Sequence, residues 1–326
     1  ITYCMAPIVA TQPSWFYVMV VVTVLLLTEL KHTFTEFAQR MKNDEMITLA
    51  KFLAISGIIL PMLPHKNLIP DINLTPYSIW LATVVVSGIS YLSYLLKRYV
   101  FHESGTLVSG IIGGLYSSTA TISVLARKSR KASEQEATDY VAAMLLAVSM
   151  MFLRFMILIL IFSREIFLSI YPYLLTMAVV AAIVAWFIHS RQKRPENQSA
   201  ETEEDDSSNP LEFKVALIFA VLFVIFTFLT HYTLVYAGTG GLNLLSFVSG
   251  FSDITPFILN LLQNTGSVAA LIITACSMQA IISNIMVNMF YALFFAGKGS
   301  KLRPWILGGF GVVIVCNLVL LLFFYI

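Results

Sequence analysis

The stretch that decides the fold is GGLYSSTAT, residues 113–121, inside the apolar run 106–126. That run ends abruptly at the basic sequence ARKSRK, residues 126–131. Lipid tolerates neither broken backbone nor idle polar groups, so a spanning helix should not carry two adjacent glycines followed by clustered hydroxyls. The stretch therefore predicts a segment that lies within protein or lines a polar cavity.

The composition indicates a polytopic membrane protein. The chain of 326 residues is 58% hydrophobic and 12% charged, whereas soluble domains are about 45–50% apolar and about 25% charged. The net charge is +2, and no basic patch with interleaved aromatic residues indicates nucleic acid as a partner.

Enzyme and cofactor motifs are missing from the sequence. The three cysteines are far apart in apolar surroundings, which predicts neither a disulfide framework nor a zinc site: Cys4, Cys276 and Cys316. There is no P-loop, zincin spacing or nucleophile elbow. We therefore expect no enzyme activity and no cofactor.

Eight segments are apolar enough to cross a membrane, which takes roughly 20 residues. They are Trp15–Leu30, Met46–Leu63, Tyr77–Leu96, Ala137–Phe162, Ile170–His189, Phe213–Leu234, Ser267–Ala296 and Leu302–Ile326. A polar, charged stretch over 191–209 cannot form a core and predicts a loose linker. These features divide the chain into a two-span connector (1–75), a first repeat (76–190), a linker (191–211) and a second repeat (212–326).

The two halves of the chain resemble each other. In each, a span leads to a glycine, a second glycine nine residues later, and then polar residues. The matched features are Gly105 and Gly114 with Ser117 and Thr119, and Gly241 and Gly250 with Asp253 and Thr255. A later span in each half opens with Pro172-Tyr173 or Pro304-Trp305. Chance alignment of hydrophobic stretches explains the spans but not the matched glycines.

Basic residues predict the direction of the repeats, because Lys and Arg in short loops mark the cytoplasmic side. Fifteen of the 20 basic residues lie in five loops. All five become cytoplasmic if the interrupted stretches 106–126 and 242–262 each enter and leave on one side. The fold class predicted is therefore all-α, with eight spanning helices and two re-entrant helical hairpins in an inverted-topology repeat.

The hairpin tips would meet near the bilayer midplane, where inverted-repeat transporters bind substrate and ions on exposed half-helix ends. Candidate binding residues at the tips are Gly113, Gly114, Ser117, Ser118, Thr119, Thr121, Gly250, Ser252, Asp253 and Thr255. The alternative for each hydroxyl is packing between helices.

Two ionisable residues lie at this depth, where a charge is a functional candidate by default. Asp253 occupies the position that Ser117 has in the first half, and would bind a proton or a cation. Arg154 would hold an anionic group or act as a gating counter-charge. A structural Asp253–Arg154 ion pair is the alternative. Repeat symmetry places Asn284 where the first half has Arg154, and Asn288 adds a second amide.

Several motifs resemble the carboxy-terminal domain of unknown function (domain of unknown function 4010) of MgtC/SapB-type bacterial inner-membrane proteins. They are PMLP (61–64), SGISYLSYLLKR (87–98), GGLYSSTATISVLARKSR (113–130) and SGFSDITPFILNL (249–261). The stretch LLLTELKHTFTEFAQRM (25–41) looks like the connector that follows an MgtC-like domain. The resemblance implies a bacterial inner membrane and a link to magnesium homeostasis that belongs mainly to the MgtC part. The basic residues Arg191, Lys193 and Arg194 predict that the linker 191–211 is cytoplasmic.

The function expected is a secondary-active transporter or channel for a small ion or solute, with the bilayer as its environment. Proton or cation coupling would use Asp253, the metal ligand if a cation binds, although one carboxylate is few ligands for Mg²⁺. The alternative is a non-transporting scaffold or regulator linked to magnesium homeostasis. A homodimer is expected by analogy, and an MgtC-like domain preceding the chain by the resemblance.

Overall fold

The computed structural model describes residues 43–69, 72, 74–101, 105–130, 132, 134–191, 213–263, 268–297 and 302–325, with four single helical positions before them. Across these residues the structure is helical. The helices are α1 (Asn43–Met62), α2 (Pro76–Leu95, followed by the π-helical turn Leu96–Val100), α3 (Thr106–Lys128), α4 (Glu134–Phe162), α5 (Arg164–Ser190), α6 (Phe213–Ser249), α7 (Ile254–Gln263), α8 (Ala270–Ala296) and α9 (Arg303–Tyr325).

The chain divides into two compact units, residues 1–51 and residues 52–326. The predicted span Trp15–Leu30, the connector motif and nearly all of the predicted linker lie outside the described residues. The second unit holds the hydrophobic core. Helix α8 is its central element, because 72% of its membrane-spanning window is buried.

Eight helices in the described part of the chain are long and apolar enough to cross a membrane, so the protein is a multi-pass membrane protein. Seven correspond to predicted spans. The eighth is Thr106–Lys128, a stretch that the sequence predicts to be a re-entrant hairpin. Its length and composition suit a span, but its backbone is interrupted at Ser117.

Helix starts follow local capping chemistry. Thr75 and Ser78 form a capping box ahead of α2, with Pro76 at the first helical position. Ser163 alone separates α4 from α5, and its hydroxyl accepts a hydrogen bond from the Ile166 amide at 3.4 Å. This cap starts α5 at Arg164, six residues before the predicted span.

The prolines thought to open equivalent spans are not equivalent. Pro304 is the second residue of α9, where the missing N–H costs nothing. Pro172 lies nine residues into α5. Its neighbour Tyr173 is buried, and the tyrosine hydroxyl donates a hydrogen bond to Asn317 Oδ1 on α9. The predicted Pro-aromatic match between the halves is therefore wrong.

Two other pairs of helical segments have the same spacing along the chain. Helix α4 begins at residue 134 and α8 at residue 270, which is 136 positions later. The part of α3 after its break, 118–128, corresponds at the same spacing to α7, Ile254–Gln263. Helix α6 is itself broken at Gly238, whose φ of 57° favours glycine. The break separates a full-length helix, 213–237, from a half-helix, 239–249.

Candidate functional site

Helix α3 is sharply bent at Ser117. This residue has an extended backbone (φ −159°, ψ 105°) between two helical arms, 106–116 and 118–128. In a straight helix, residues eight apart lie about 12 Å apart. Here a Cβ added to Gly113 would lie 2.5 Å from Thr121 Oγ1. The two arms therefore turn sharply, and the absence of a side chain at Gly113 lets them approach.

Ser117 also caps the second arm of α3. Its hydroxyl accepts a hydrogen bond from the Ala120 amide at 3.4 Å, which satisfies one of the free N–H groups at a helix start.

A second break, 250–253, separates the half-helix 239–249 from α7. Asp253 Oδ1 accepts a hydrogen bond from the Thr255 amide at 2.9 Å and so caps α7. Asp253 lies 136 positions after Ser117, so the same capping position carries a hydroxyl in one half and a carboxylate in the other.

Both glycines that precede the breaks pack on the backbone of a long helix. A Cβ on Gly114 would lie 2.5 Å from Ala147 Cα, on α4. A Cβ on Gly250 would overlap the side chain of Ser283 and lie 2.8 Å from the Asn284 amide nitrogen, on α8. The spacing of 136 relates Gly114 to Gly250 and Ala147 to Ser283, so the repeat extends from sequence to packing.

The carboxyl ends of both first arms receive a side-chain donor. Arg154 Nη1 donates to the Tyr116 carbonyl at 2.8 Å, one residue before the break. Asn284 Nδ2 donates to the Gly250 carbonyl at 3.2 Å. Each of the two side chains therefore donates to a carbonyl beside a break. Their positions do not correspond, because the spacing of 136 pairs Arg154 with Phe290.

Arg154 and Asp253 each bond to the backbone of a different tip. The carboxylate lies within electrostatic reach of the guanidinium, but the two groups, both in the described part of the chain, form no contact ion pair. Each is held by its own half-helix, Arg154 through Tyr116 and Asp253 through Thr255. The Nε of Arg154 is buried without a hydrogen-bond partner. Arg154 is thus attached to the first tip and Asp253 to the second.

The hydroxyl groups of the two tips differ in whether they already make hydrogen bonds within the protein. The hydroxyls of Ser118, Thr119 and Thr121 make no hydrogen bond within the described part of the chain. Ser252, in contrast, bonds its hydroxyl to the Ser249 carbonyl at 3.2 Å. The exposed side of the tips is formed by Ala120, Ser252 and Asp253, whereas Ser118 and Thr255 are buried.

The amides of α8 form a short ladder behind the second tip. Asn288 Nδ2 donates to Asn284 Oδ1 at 3.1 Å, and Asn284 in turn bonds the Gly250 carbonyl. Asn288 is fully buried, and its Oδ1 has no partner. These two amides therefore hold the second tip against α8. They do not lie on the exposed side of the tip. Among the described residues, no group of three His, Cys, Asp or Glu side chains gathers to hold a metal ion.

Sequence reasoning missed the contacts behind the first tip. Gly110 and Gly114 pack on Ala143 and Ala147, so a small-xxx-small pattern on α3 meets another on α4. That four-residue spacing was readable in both segments. The hydrogen bond from Arg154 to Tyr116 could not be predicted from residue types, because the acceptor is the backbone carbonyl of Tyr116 and not its side chain.

Comparison with known proteins places the chain in a family. Residues 84–296 match the family described as "Domain of unknown function (DUF4010)". The chain belongs to this family. A further relative of the chain is a protein of Aquifex aeolicus (strain VF5) named "Uncharacterized protein", which is 25% identical over 227 residues. The match covers 68% of this chain and 96% of that relative. No solved structure matches the chain. Both breaks, at Ser117 and Asp253, lie inside the DUF4010 region.

Proposed function

We propose that the chain is a secondary-active transporter of the bacterial inner membrane that binds a small ion or solute between two opposed hairpin tips. The observation that carries the proposal is the pair of chain breaks at Ser117 and Asp253. They lie 136 positions apart, each with a capped second arm and a preceding glycine packed on a long helix.

The lengths of the arms support re-entrant hairpins. Arms of about 10 residues are roughly 15 Å long, half of a hydrocarbon core of about 30 Å. The Gly113–Thr121 contact supports this for the first hairpin. For the second, Asn260 Nδ2 on α7 bonds Thr227 Oγ1 at 2.7 Å, midway along the full-length part of α6. That contact fits an arm that turns back alongside the span.

The number of crossings then supports an inverted repeat. Each half contributes three full-length helices, α2, α4 and α5 in the first and 213–237, α8 and α9 in the second. After three crossings the chain is on the other side of the membrane from where it began. The second repeat therefore starts on that side and has the opposite orientation. Contacts between α3 and α8, matched by contacts between α7 and α4, fit a pseudo-two-fold relation.

The binding role rests on the groups that the fold leaves available. Non-helical backbone at membrane depth is tolerated where it lines a cavity, and half-helix ends attract ions. We propose that the uncommitted hydroxyls of the first tip line a region shared with the Asp253 carboxylate and the Arg154 guanidinium. In this proposal Asp253 binds the proton or cation, and Arg154 positions the first tip and supplies the counter-charge.

The test is flux in proteoliposomes. Purified protein would be assayed for proton movement with an internal pH dye, under gradients of Na⁺, K⁺, Mg²⁺, chloride and inorganic phosphate. We expect a flux that Asp253→Asn abolishes. Glu165→Gln is the matched control, because Glu165 is exposed in the first turn of α5, away from the tips. A flux that Asp253→Asn leaves unchanged, or no flux under any gradient, would favour the scaffold or regulator instead.

A further inference from the structure

Two arginines join the base of the first hairpin to the end of the central helix of the second half. We propose that Arg127, Arg130, Phe294 and Phe295 form a latch that keeps the cytoplasmic entrance to the tips closed. This inference rests on the proposed function, since it assigns a resting state to that transporter.

The latch has two contacts, both between halves. The Arg127 guanidinium carbon lies 4.3 Å from the centroid of the Phe295 ring, a cation–π distance. Arg130 Nη2 donates to the Phe294 carbonyl at 3.2 Å. Arg127 is in the last turn of α3, and Arg130 follows it in the adjoining turn. The end of α3 is thus attached to the end of α8.

The end of α8 is built to receive a cation. Phe294 carries one of the last four carbonyls of the helix, which have no partner within it. A positive charge there is also favoured by the helix dipole. Gly297 ends the helix with φ +91°, and a Cβ at this position would lie 3.4 Å from Arg130 Nε. Glycine therefore stops the helix directly beside the arginine.

Three of the four latch residues have counterparts in the described part of the other half that cannot make these contacts. At the spacing of 136, Arg127 corresponds to Gln263, Phe294 to Leu158 and Phe295 to Ile159. Charge and aromatic ring are replaced by an amide and aliphatic side chains at the opposite entrance. An inverted-repeat transporter must open one entrance while the other is closed. Because only one entrance carries these polar contacts, they favour the conformation of the transporter in which that entrance is closed. The basic loop after α3 marks that side as cytoplasmic.

The expected effect is modest, because both arginines are exposed. Removing both contacts should shift the balance between closed and open cytoplasmic entrance by about three- to tenfold. Lys128, which lies between the two arginines in the chain and takes no part in either contact, supplies a matched control.

Accessibility of the tip tests the latch. In a protein whose three cysteines are replaced by alanine, a single cysteine is introduced at exposed Ala120. Inside-out vesicles are then treated with a membrane-impermeant maleimide. We expect Arg127→Ala/Arg130→Ala to label about three- to tenfold faster than the parent, and Lys128→Ala to label at the parent rate. Arg130→Lys keeps a donor for the Phe294 carbonyl and should label at an intermediate rate.

Equal labelling of the double variant and the parent, with both monodisperse in detergent, overturns the latch and leaves the transporter proposal standing. Faster labelling without flux in proteoliposomes overturns the transporter and retains the latch as a conformational contact. If the double variant does not fold, Arg127→Gln and Arg130→Gln are compared singly, and two parent-like rates overturn the latch.

Discussion

Replacing Gly114 with alanine should destabilise the protein through a clash that neither helix can relieve locally. The added Cβ would meet three backbone atoms of Ala147: Cα at 2.5 Å, the carbonyl oxygen at 2.7 Å and the carbonyl carbon at 3.0 Å. Carbon atoms in good contact lie about 3.5–4.0 Å apart, so helices α3 and α4 must separate by about 1 Å along this line.

The cost follows from that separation. Overpacking of this kind typically costs about 1–3 kcal/mol, and backbone atoms on both sides place Gly114→Ala toward the upper end. A gain of up to about 1 kcal/mol in helix propensity opposes it. We expect a net loss of about 1–2 kcal/mol. At roughly 2–4 °C per kcal/mol for a chain of this size class, the melting temperature should fall by about 2–8 °C.

The assay is thermal unfolding of purified protein in detergent, followed by the remaining monodisperse fraction. Gly308→Ala is the control, because no atom lies within 4 Å of a Cβ at that position on α9. Gly250→Ala should lose a similar amount to Gly114→Ala, since its Cβ meets Ser283 and Asn284. If Gly114→Ala melts like Gly308→Ala, the packing of α3 on α4 is refuted. If only one of the two tip glycines is sensitive, the matched packing of the halves is refuted.

The other predictions address the tips and the topology. Arg154→Ala removes the charged donor to the Tyr116 carbonyl and should cost about 1.5–3 kcal/mol of stability; Arg154→Lys should recover part of it, and equal melting of both variants would contradict the capping role. Single cysteines at Ala132 and Tyr236 should be labelled from the cytoplasmic and outer faces respectively, and labelling of both from one face would contradict the inverted repeat. These results stand beside the loss of flux expected for Asp253→Asn and the faster labelling expected for the Arg127/Arg130 variant.

Much of the architecture was readable from the chain. Membrane spans follow from hydropathy in windows of about 20 residues, so seven of the predicted spans reappear as helices in the described part. The glycines at a spacing of 136 and the correspondence of Asp253 with Ser117 were also readable, because turn and capping positions depend on nearby residues. Each cap joins residues two or three positions apart in the chain, so short stretches of sequence are enough to predict it.

The contacts that give the candidate site its character depended on tertiary structure. Arg154 could have paired with Asp253 or bound a ligand, but packing of α4 on α3 brings it to a backbone carbonyl 38 positions away. Packing likewise brings Arg130 to Phe294, 164 positions away. Such partners depend on how helices approach, which no periodicity within one helix encodes. In GGLYSSTAT the sequence by itself predicted an interrupted helix, because of its glycines and hydroxyls. The tertiary structure decided that the break falls at Ser117 and that Gly114 packs on Ala147, because such contacts depend on how two distant helices approach.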